Sequence, residues 1–238
     1  MEALKAAIGD GVITFLWMFC ISTVGPTTAV IARHLELRSL PLILGITVLL
    51  ITALLLIFSQ ISKLLGKASF NPANTAAFYA AGVSKDSLFS MALRFPAQAL
   101  GSVGGVLAIR EVMPSQYKSL LKGPSLKVDL HTGAVAEFII TFVFTSALLW
   151  IIIKGPSNAF LKTLMLATTT VTMVVSGRIY TGPSMNPVNA FGWAYIDNSH
   201  NTWEHFYVYW IPSFTGAILA AWIFRFIFLR TSTKVKKA

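Results

Sequence analysis

Six long apolar stretches dominate this chain and leave it few ways to fold. They cover residues 8–32, 41–65, 87–109, 133–153, 159–181 and 206–229. Each is close to the roughly 20 residues that an α-helix needs to cross the hydrocarbon core of a bilayer. With 12% charged residues, the chain also carries about half the charge of an ordinary soluble domain. The sequence therefore predicts an all-α membrane protein with six transmembrane helices.

A tripeptide and its near-copy occupy matching places in the two halves of the chain. The two motifs are Asn71, Pro72 and Ala73, and Asn186, Pro187 and Val188. Asn is a good helix cap and Pro is favoured at the first helical position, so each motif is expected to begin a helix with an electropositive leading end. The segments that follow, 73–81 and 188–196, are apolar but too short to cross. They predict two re-entrant half-helices that meet at the centre of a pore.

The two halves also share an internal repeat. Residues 7–15 align with residues 134–142 at four identical positions, and the alignment places Asp10 opposite Glu137. Each half holds three spans, an odd number, so the halves are expected to run in opposite directions through the membrane. The prediction is a single membrane domain with inverted repeats at about 1–115 and 128–230, followed by a basic cytosolic tail at 231–238.

Among the polar residues inside the predicted spans, four are singled out as buried: Asp10, Arg94, Gln98 and Glu137. A charged side chain at that depth costs about 2.5–3.5 kcal/mol on insertion scales, so these residues are expected to face the interior of the bundle. A proton relay is one interpretation of the two carboxylates. We favour a structural role, because buried acceptors can satisfy the N–H groups of a re-entrant loop. Arg94 is likewise interpreted as a structural partner and not as a substrate ligand.

Several longer motifs accompany the doubled Asn-Pro pair. They are Arg-Phe-Pro-Ala-Gln at 94–98 with Gly101, Ala-Glu at 136–137, and Tyr-Trp-Ile-Pro at 209–212 with Gly216. With these motifs the chain resembles the aquaporins, the major intrinsic proteins, over nearly its full length. Finer features, such as Lys-Gly-Pro-Ser at 122–125, look like the plant small basic intrinsic proteins of the first subgroup. The resemblance implies a right-handed bundle of six transmembrane helices with two re-entrant half-helices.

The resemblance also implies the residues of the pore. The amides of Asn71 and Asn186 are expected to donate to a passing water oxygen at mid-membrane. By position relative to the motifs, the family's constriction falls on Ile51, Val174, Pro183 and Asn189. Most aquaporins carry an arginine where this chain has Asn189, and typical water-specific members add an aromatic residue and a histidine. The predicted filter is therefore apolar and uncharged. The strict exclusion of larger solutes by typical water-specific members does not carry over to this chain.

The leading hypothesis is a passive water channel, assembled as the family's homotetramer in a lipid bilayer. One alternative is a channel for another small neutral solute, such as glycerol, hydrogen peroxide or an uncharged metalloid acid. Another is an ion-coupled secondary transporter, but no carboxylate stands beside either Asn-Pro motif to form a charged site. A membrane organiser with a degenerate pore is a third. No enzyme, cofactor or metal site is expected, because no nucleophile, base and orienting group occupy usable positions.

The net charge of +10 does not indicate a nucleic-acid partner, because the basic residues are spread over inter-helix segments and the tail. More of them fall on one side if both termini are cytosolic, which favours that topology. Lys234 and Lys236 have the spacing of a dilysine signal for retrieval to the endoplasmic reticulum by a coat. A basic flank for the last span is the alternative. Aromatic residues near that span, including Trp193 and Tyr209, are interpreted as an interfacial belt.

Overall fold

The computed structural model describes residues 1–229, where the regular secondary structure is all helical, without strands. The helices are α1 (Glu2–His34), α2 (Leu40–Leu64), α3 (Pro72–Ala80), α4 (Leu88–Val112), α5 (Ser115–Lys118), α6 (Leu130–Ile153), α7 (Ala159–Gly177), α8 (Pro187–Ile196) and α9 (Trp203–Leu229). Six of these described helices are long and apolar enough to cross a membrane, as predicted. The proposed retrieval residues Lys234 and Lys236 lie outside the described residues.

Side-chain caps begin four of the long helices. Ser87, Asp129, Asn158 and Thr202 each accept a hydrogen bond from a backbone N–H in the first turn of α4, α6, α7 and α9. These bonds satisfy donors that have no partner within the helix. At α6, hydrogen bonds from Thr132 lower the pKa of Asp129 below its ordinary value. Four of the six described spans therefore begin where the local sequence supplies a polar cap, while α1 and α2 begin without one.

Helix α9 departs from regular α-helical geometry, which the sequence did not predict. A π-helical segment at Phe206–Trp210 precedes the α-helical part at Ile211–Phe224. Pro212 lies at the junction, and it has no N–H to donate to the preceding turn. Such wide turns commonly re-aim a side chain next to a functional site. Here the wide turn carries Tyr209, whose contact with a pore loop is described below.

The packing of the helices repeats between the two halves. Helix α1 packs along α4 and α6 packs along α9, while α2 and α7 contact each other across the halves. Each half-helix packs mainly on the last long helix of the other half, so that α3 contacts α9 and α8 contacts α4. The observed fold agrees with the predicted six spans and two half-helices. The repeat boundaries at 1–115 and 128–230 stay a prediction.

Glycines allow the two long helix pairs to approach closely. A Cβ atom built on Gly101 of α4 would lie 2.2 Å from the carbonyl oxygen of Gly11 in α1, and one on Gly105 would lie 2.4 Å from that of Phe15. On the α6 and α9 pair, a Cβ on Gly216 would lie 2.7 Å from the carbonyl oxygen of Phe138. Small residues take this role in membranes because helix association there depends on close packing.

Replacing Gly101 by alanine is expected to lower stability by about 1–3 kcal/mol, because the added methyl group meets backbone that cannot rotate away. Thermal unfolding in detergent measures the effect. Gly45→Ala in α2 is the matched control, since a Cβ there meets nothing within 4 Å and alanine favours a helix over glycine. Equal melting temperatures for the two variants would contradict the close approach of α1 and α4.

Candidate pore site

Asn71 begins α3 and binds both its own helix and the opposite loop. Its Oδ1 accepts hydrogen bonds from the backbone N–H groups of Ala73 at 3.0 Å and Asn74 at 3.4 Å. Its Nδ2 donates to the carbonyl oxygen of Met185 at 3.0 Å. The predicted cap is therefore present, and the same side chain also connects the two halves of the molecule.

Asn186 makes the reciprocal bridge but does not cap its helix. Its Nδ2 donates to the carbonyl oxygen of Phe70 at 2.9 Å. Its Oδ1 is buried without a hydrogen-bond partner in residues 1–229, and α8 begins at Pro187 without a side-chain cap. The prediction that both asparagines cap their helices is right for Asn71 and wrong for Asn186, whose Oδ1 accepts no hydrogen bond from the first turn of α8. The second motif is thus the less regular one.

The crossed bridges hold the two half-helix starts tip to tip. A carboxamide nitrogen carries two protons, and one proton of each asparagine is used on the opposite loop. The second proton of each amide makes no hydrogen bond within residues 1–229. Ala73 and Val188, the residues at the two tips, are fully buried, and the Ser102 hydroxyl donates to the Val188 carbonyl oxygen. The geometry therefore directs two amide donors and two electropositive helix ends to one place.

The difference between the two asparagines is testable by truncation. Asn71→Ala removes a bridge and a cap, whereas Asn186→Ala removes a bridge alone. Since a cap contributes about 1 kcal/mol, we expect Asn71→Ala to be the less stable variant by about that amount. Comparison of the two melting temperatures in one detergent measures the difference. A lower melting temperature for Asn186→Ala than for Asn71→Ala would contradict the finding that α8 has no side-chain cap.

Asp10 anchors the loop before the first motif. Its Oδ1 accepts from the backbone N–H of Ser69 at 2.8 Å, and its Oδ2 accepts from Arg94 Nε at 2.7 Å and from Gln98 Nε2. Arg94 also pairs with Asp86, which is nearer the surface. Asp10 and Gln98 are fully buried and Arg94 nearly so. The Asp10 carboxylate is thus saturated with donors, one of them its ion-pair partner Arg94, and it positions Ser69 two residues before Asn71.

Glu137 anchors the second loop, and no cationic side chain within residues 1–229 pairs with it. Its Oε1 accepts from the backbone N–H groups of Ser184 at 3.0 Å and Met185 at 2.7 Å, and its Oε2 accepts from the Thr181 hydroxyl at 3.0 Å. Met185 has a φ of 52°, in the left-handed region that costs a non-glycine residue about 1–3 kcal/mol. Both bonds on Oε1 hold this segment, so Glu137 stabilises the strained turn that presents Asn186.

Tyr209 completes the second anchor. Its hydroxyl donates to the Thr181 carbonyl oxygen at 3.0 Å, and its side chain is buried. Trp193 is buried as well, in the core cluster with Trp17 and Val106. The interpretation of these two aromatic residues as part of an interfacial belt is therefore wrong. A buried phenol requires a hydrogen-bond partner, and the pore loop provides it.

Comparison with known proteins agrees with this arrangement. The family model described as Major intrinsic protein matches residues 1–224. Aquaporin SIP1-2 of Zea mays is 59% identical over 235 residues, covering 99% of this chain and 97% of its own length. Aquaporin SIP1-1 of Oryza sativa subsp. japonica is 56% identical over 240 residues, covering 99% and 98%.

The chain belongs to the major intrinsic protein family, the aquaporins. The predicted resemblance to plant small basic intrinsic proteins of the first subgroup is thereby confirmed. A solved structure, the aquaglyceroporin from Plasmodium falciparum, has the same fold at a TM-score of 0.73 and 15% identity, covering 94% of this chain and 96% of its own. The protein is therefore a membrane channel of aquaporin fold and not an enzyme.

The four predicted filter residues of this aquaporin occupy different environments. Ile51 is buried in a cluster with Val24, Ala167 and Val171, and Pro183 is buried beside Gly177. Asn189 is half-buried on α8, and Val174 of α7 is 41% exposed. The role of these four residues as a filter stays a prediction. None of the four carries a charge.

One polar residue of the first half-helix escaped the sequence reasoning. Asn74 follows Ala73 as Asn189 follows Val188, so the two motifs, extended by one residue, read Asn-Pro-Ala-Asn and Asn-Pro-Val-Asn. Its Oδ1 is buried without a partner in residues 1–229. The extended repeat was the signal that pointed to it.

Proposed function

We propose that this aquaporin is a passive water channel. The observation that carries the proposal is the crossed pair of asparagine bridges at the starts of α3 and α8. Each half-helix start adds a partial charge of roughly +0.5. A water molecule at this point accepts from the two free amide protons and turns its own hydrogens away from the centre. Proton transfer along the water file is interrupted there, and cations are repelled.

A second candidate is a channel for another small neutral solute, such as glycerol, hydrogen peroxide or a metalloid acid. This candidate is favoured by the predicted filter, which has no charged residue and consists of Ile51, Val174, Pro183 and Asn189. A constriction without a cation does not bind water more strongly than it binds a slightly larger neutral molecule. An ion-coupled transporter is disfavoured. The two membrane carboxylates, Asp10 and Glu137, are saturated with loop and side-chain donors.

Stopped-flow measurements on proteoliposomes test the proposal. The wild-type chain is expected to raise osmotic water permeability severalfold over protein-free vesicles, without ion conductance. Asn201→Leu, at an exposed position, is expected to behave as the wild type. Uptake of glycerol or hydrogen peroxide without a rise in water permeability would contradict the water channel and support the second candidate function. Saturable flux that requires an ion gradient would identify a transporter instead.

We propose a homotetramer in the bilayer as the working assembly. Membership of the aquaporin family supports it, and light scattering of the detergent-solubilised protein measures its mass. A monomeric mass at the concentrations used for transport would contradict it. Each chain is proposed to carry its own pore, since both half-helices come from one chain.

We also propose residence in the endoplasmic reticulum membrane with both termini cytosolic. The spacing of Lys234 and Lys236 supports recognition by a retrieval coat, and the distribution of basic residues supports the orientation. Replacing both lysines by alanine is expected to release a fluorescently tagged protein to later membranes. Unchanged localisation would leave these lysines as a basic flank of the last span.

A further inference from the structure

A groove lies at the end of the molecule where α1 and α4 begin and α2 ends. Its volume is about 830 Å³, and its lining residues come from the segments 2–12, 65–66 and 85–90. The residues of the two Asn-Pro motifs and of the predicted filter are not part of this lining. The groove is therefore a feature separate from the pore.

The polar part of the groove is electropositive. Lys5 and Lys85 line it and are exposed, and neither forms an ion pair within residues 1–229. Asp86 also lines the groove, but its carboxylate is neutralised by Arg94. Glu2, in the first turn of α1, is the remaining carboxylate of the lining. The two lysines thus exceed the unpaired carboxylate by one charge.

Helix starts, hydroxyl groups and further lysines add to this positive potential. Helices α1 and α4 begin at the groove, and the start of each helix carries a partial positive charge. Ser87 and Ser90 line the groove, and their hydroxyls donate to no acceptor in the part of the chain that the structure describes. Lys63 and Lys67, beside the lining at the end of α2, are exposed. Cations, helix starts and hydroxyl donors are the groups that bind phosphate.

The remainder of the groove is apolar and continues along α1 toward the middle of the bilayer. Ile8 and Val12 line it and are exposed, and Phe15 is exposed further along the same helix. Residues three and four apart share a side of a helix, so these three form one strip. At 1.5 Å per residue the strip is about 10 Å long, roughly two thirds of the hydrocarbon thickness of one leaflet. Its shape and polarity fit an acyl chain.

We propose that this groove binds one anionic phospholipid, with its phosphate between Lys5 and Lys85 and an acyl chain along Ile8, Val12 and Phe15. Phosphatidylcholine is a poorer ligand, because the lysines repel its quaternary ammonium group. With both termini cytosolic, as proposed above, the groove opens in the cytosolic leaflet, where anionic lipids are found. The proposal does not depend on which solute the pore conducts.

Thermal unfolding of the full-length protein in detergent, titrated with dioleoylphosphatidylserine, tests the proposal. We expect this lipid to raise the melting temperature, because it binds the folded state. Lys5→Gln combined with Lys85→Gln is expected to raise the half-saturating lipid concentration about thirtyfold, since each lysine near an anionic headgroup contributes about fivefold. Lys154→Gln combined with Lys162→Gln removes the same charge outside the groove. This matched control is expected to titrate as the wild type.

Two further titrations identify the ligand. Dioleoylphosphatidylcholine has the acyl chains without the net negative charge, and glycerol 3-phosphate has the phosphate without the chains. Each is expected to raise the melting temperature less than dioleoylphosphatidylserine does at the same concentration. An equal effect of phosphatidylcholine would contradict recognition of the headgroup charge. An equal effect of glycerol 3-phosphate would show an anion site that does not use the apolar strip.

Other outcomes would also overturn the proposal. Equal titrations of the wild type and the Lys5 and Lys85 double variant would place the lipid elsewhere, and an unchanged wild-type melting temperature would exclude binding. A smaller mass of the double variant in light scattering, measured before lipid is added, would assign the groove to a second copy of the chain. A chain that conducts no solute would remove the proposed function and leave this inference intact, because the titration measures no flux.

Discussion

Replacing Glu137 by leucine is expected to reduce osmotic water permeability to the level of protein-free vesicles. The change removes three hydrogen bonds and leaves the N–H groups of Ser184 and Met185 buried without an acceptor. Each such group costs about 1–3 kcal/mol, or about 2–6 kcal/mol for the two. Met185 also loses the contact that holds its left-handed backbone. The loop then relaxes, and Asn186 no longer reaches the Phe70 carbonyl oxygen.

Glu137→Gln is the matched control for this prediction. Glutamine keeps an oxygen for both backbone donors, and its amide can donate to the Thr181 hydroxyl, which then acts as an acceptor. We expect most of the permeability and the melting temperature to be retained. Stopped-flow permeability and thermal unfolding of both variants decide the matter. If glutamine abolishes flux as leucine does, the carboxylate acts through its charge, and a proton relay becomes the better description.

Replacing Arg94 by leucine is expected to destabilise the protein by about 3–5 kcal/mol, because it leaves the carboxylate of Asp10 buried without a counter-charge. Asp10 is fully buried and pairs with Arg94 at 2.7 Å. Asp86, the second partner, has a side chain that is 23% exposed, so water can solvate it. The lost stability therefore comes mainly from the unpaired Asp10 carboxylate and from the loop at Ser69 that this carboxylate holds.

A double variant separates the orphaned charge from lost packing. Asp10→Asn added to Arg94→Leu removes the charge and keeps an acceptor for the Ser69 N–H, so it is expected to recover part of the stability. Arg38→Leu, at an exposed position, is expected to change stability by about 0.5 kcal/mol or less. Melting temperatures in one detergent compare the three. A double variant no more stable than Arg94→Leu would mean that the ion pair is not the source of the loss.

The two halves stabilise their pore loops with different chemistry. On one side Asp10 is balanced by Arg94 and Gln98. On the other side Glu137 is balanced by loop N–H groups and a hydroxyl, with no cation among the part of the chain that the structure describes. Both carboxylates bond the residue two positions before their asparagine. A carboxylate facing a loop is thus the shared requirement, while its other partners differ. Comparison of the two half-sequences reveals the shared carboxylate but not the different partners that balance it.

Much of the fold followed from patterns along the chain. Apolar stretches of about the thickness of a bilayer predict spans, and Asn-Pro followed by a short apolar segment predicts a half-helix, since these signals depend on nearby residues. The six spans and the helices beginning at Pro72 and Pro187 lie as expected. The π-helical turn at Phe206–Trp210 was missed, because it depends on how α9 packs as well as on Pro212.

The sequence by itself determined the membrane class, the six spans, the two half-helix starts and the pairing of one carboxylate with each half. Only the tertiary structure decided what the asparagines bind. Asn71 caps α3 and bridges to Met185, whereas Asn186 bridges to Phe70 and leaves α8 uncapped. The partners lie more than a hundred residues apart along the chain. No local pattern specifies such contacts, because folding of the two halves against each other brings them within hydrogen-bonding distance.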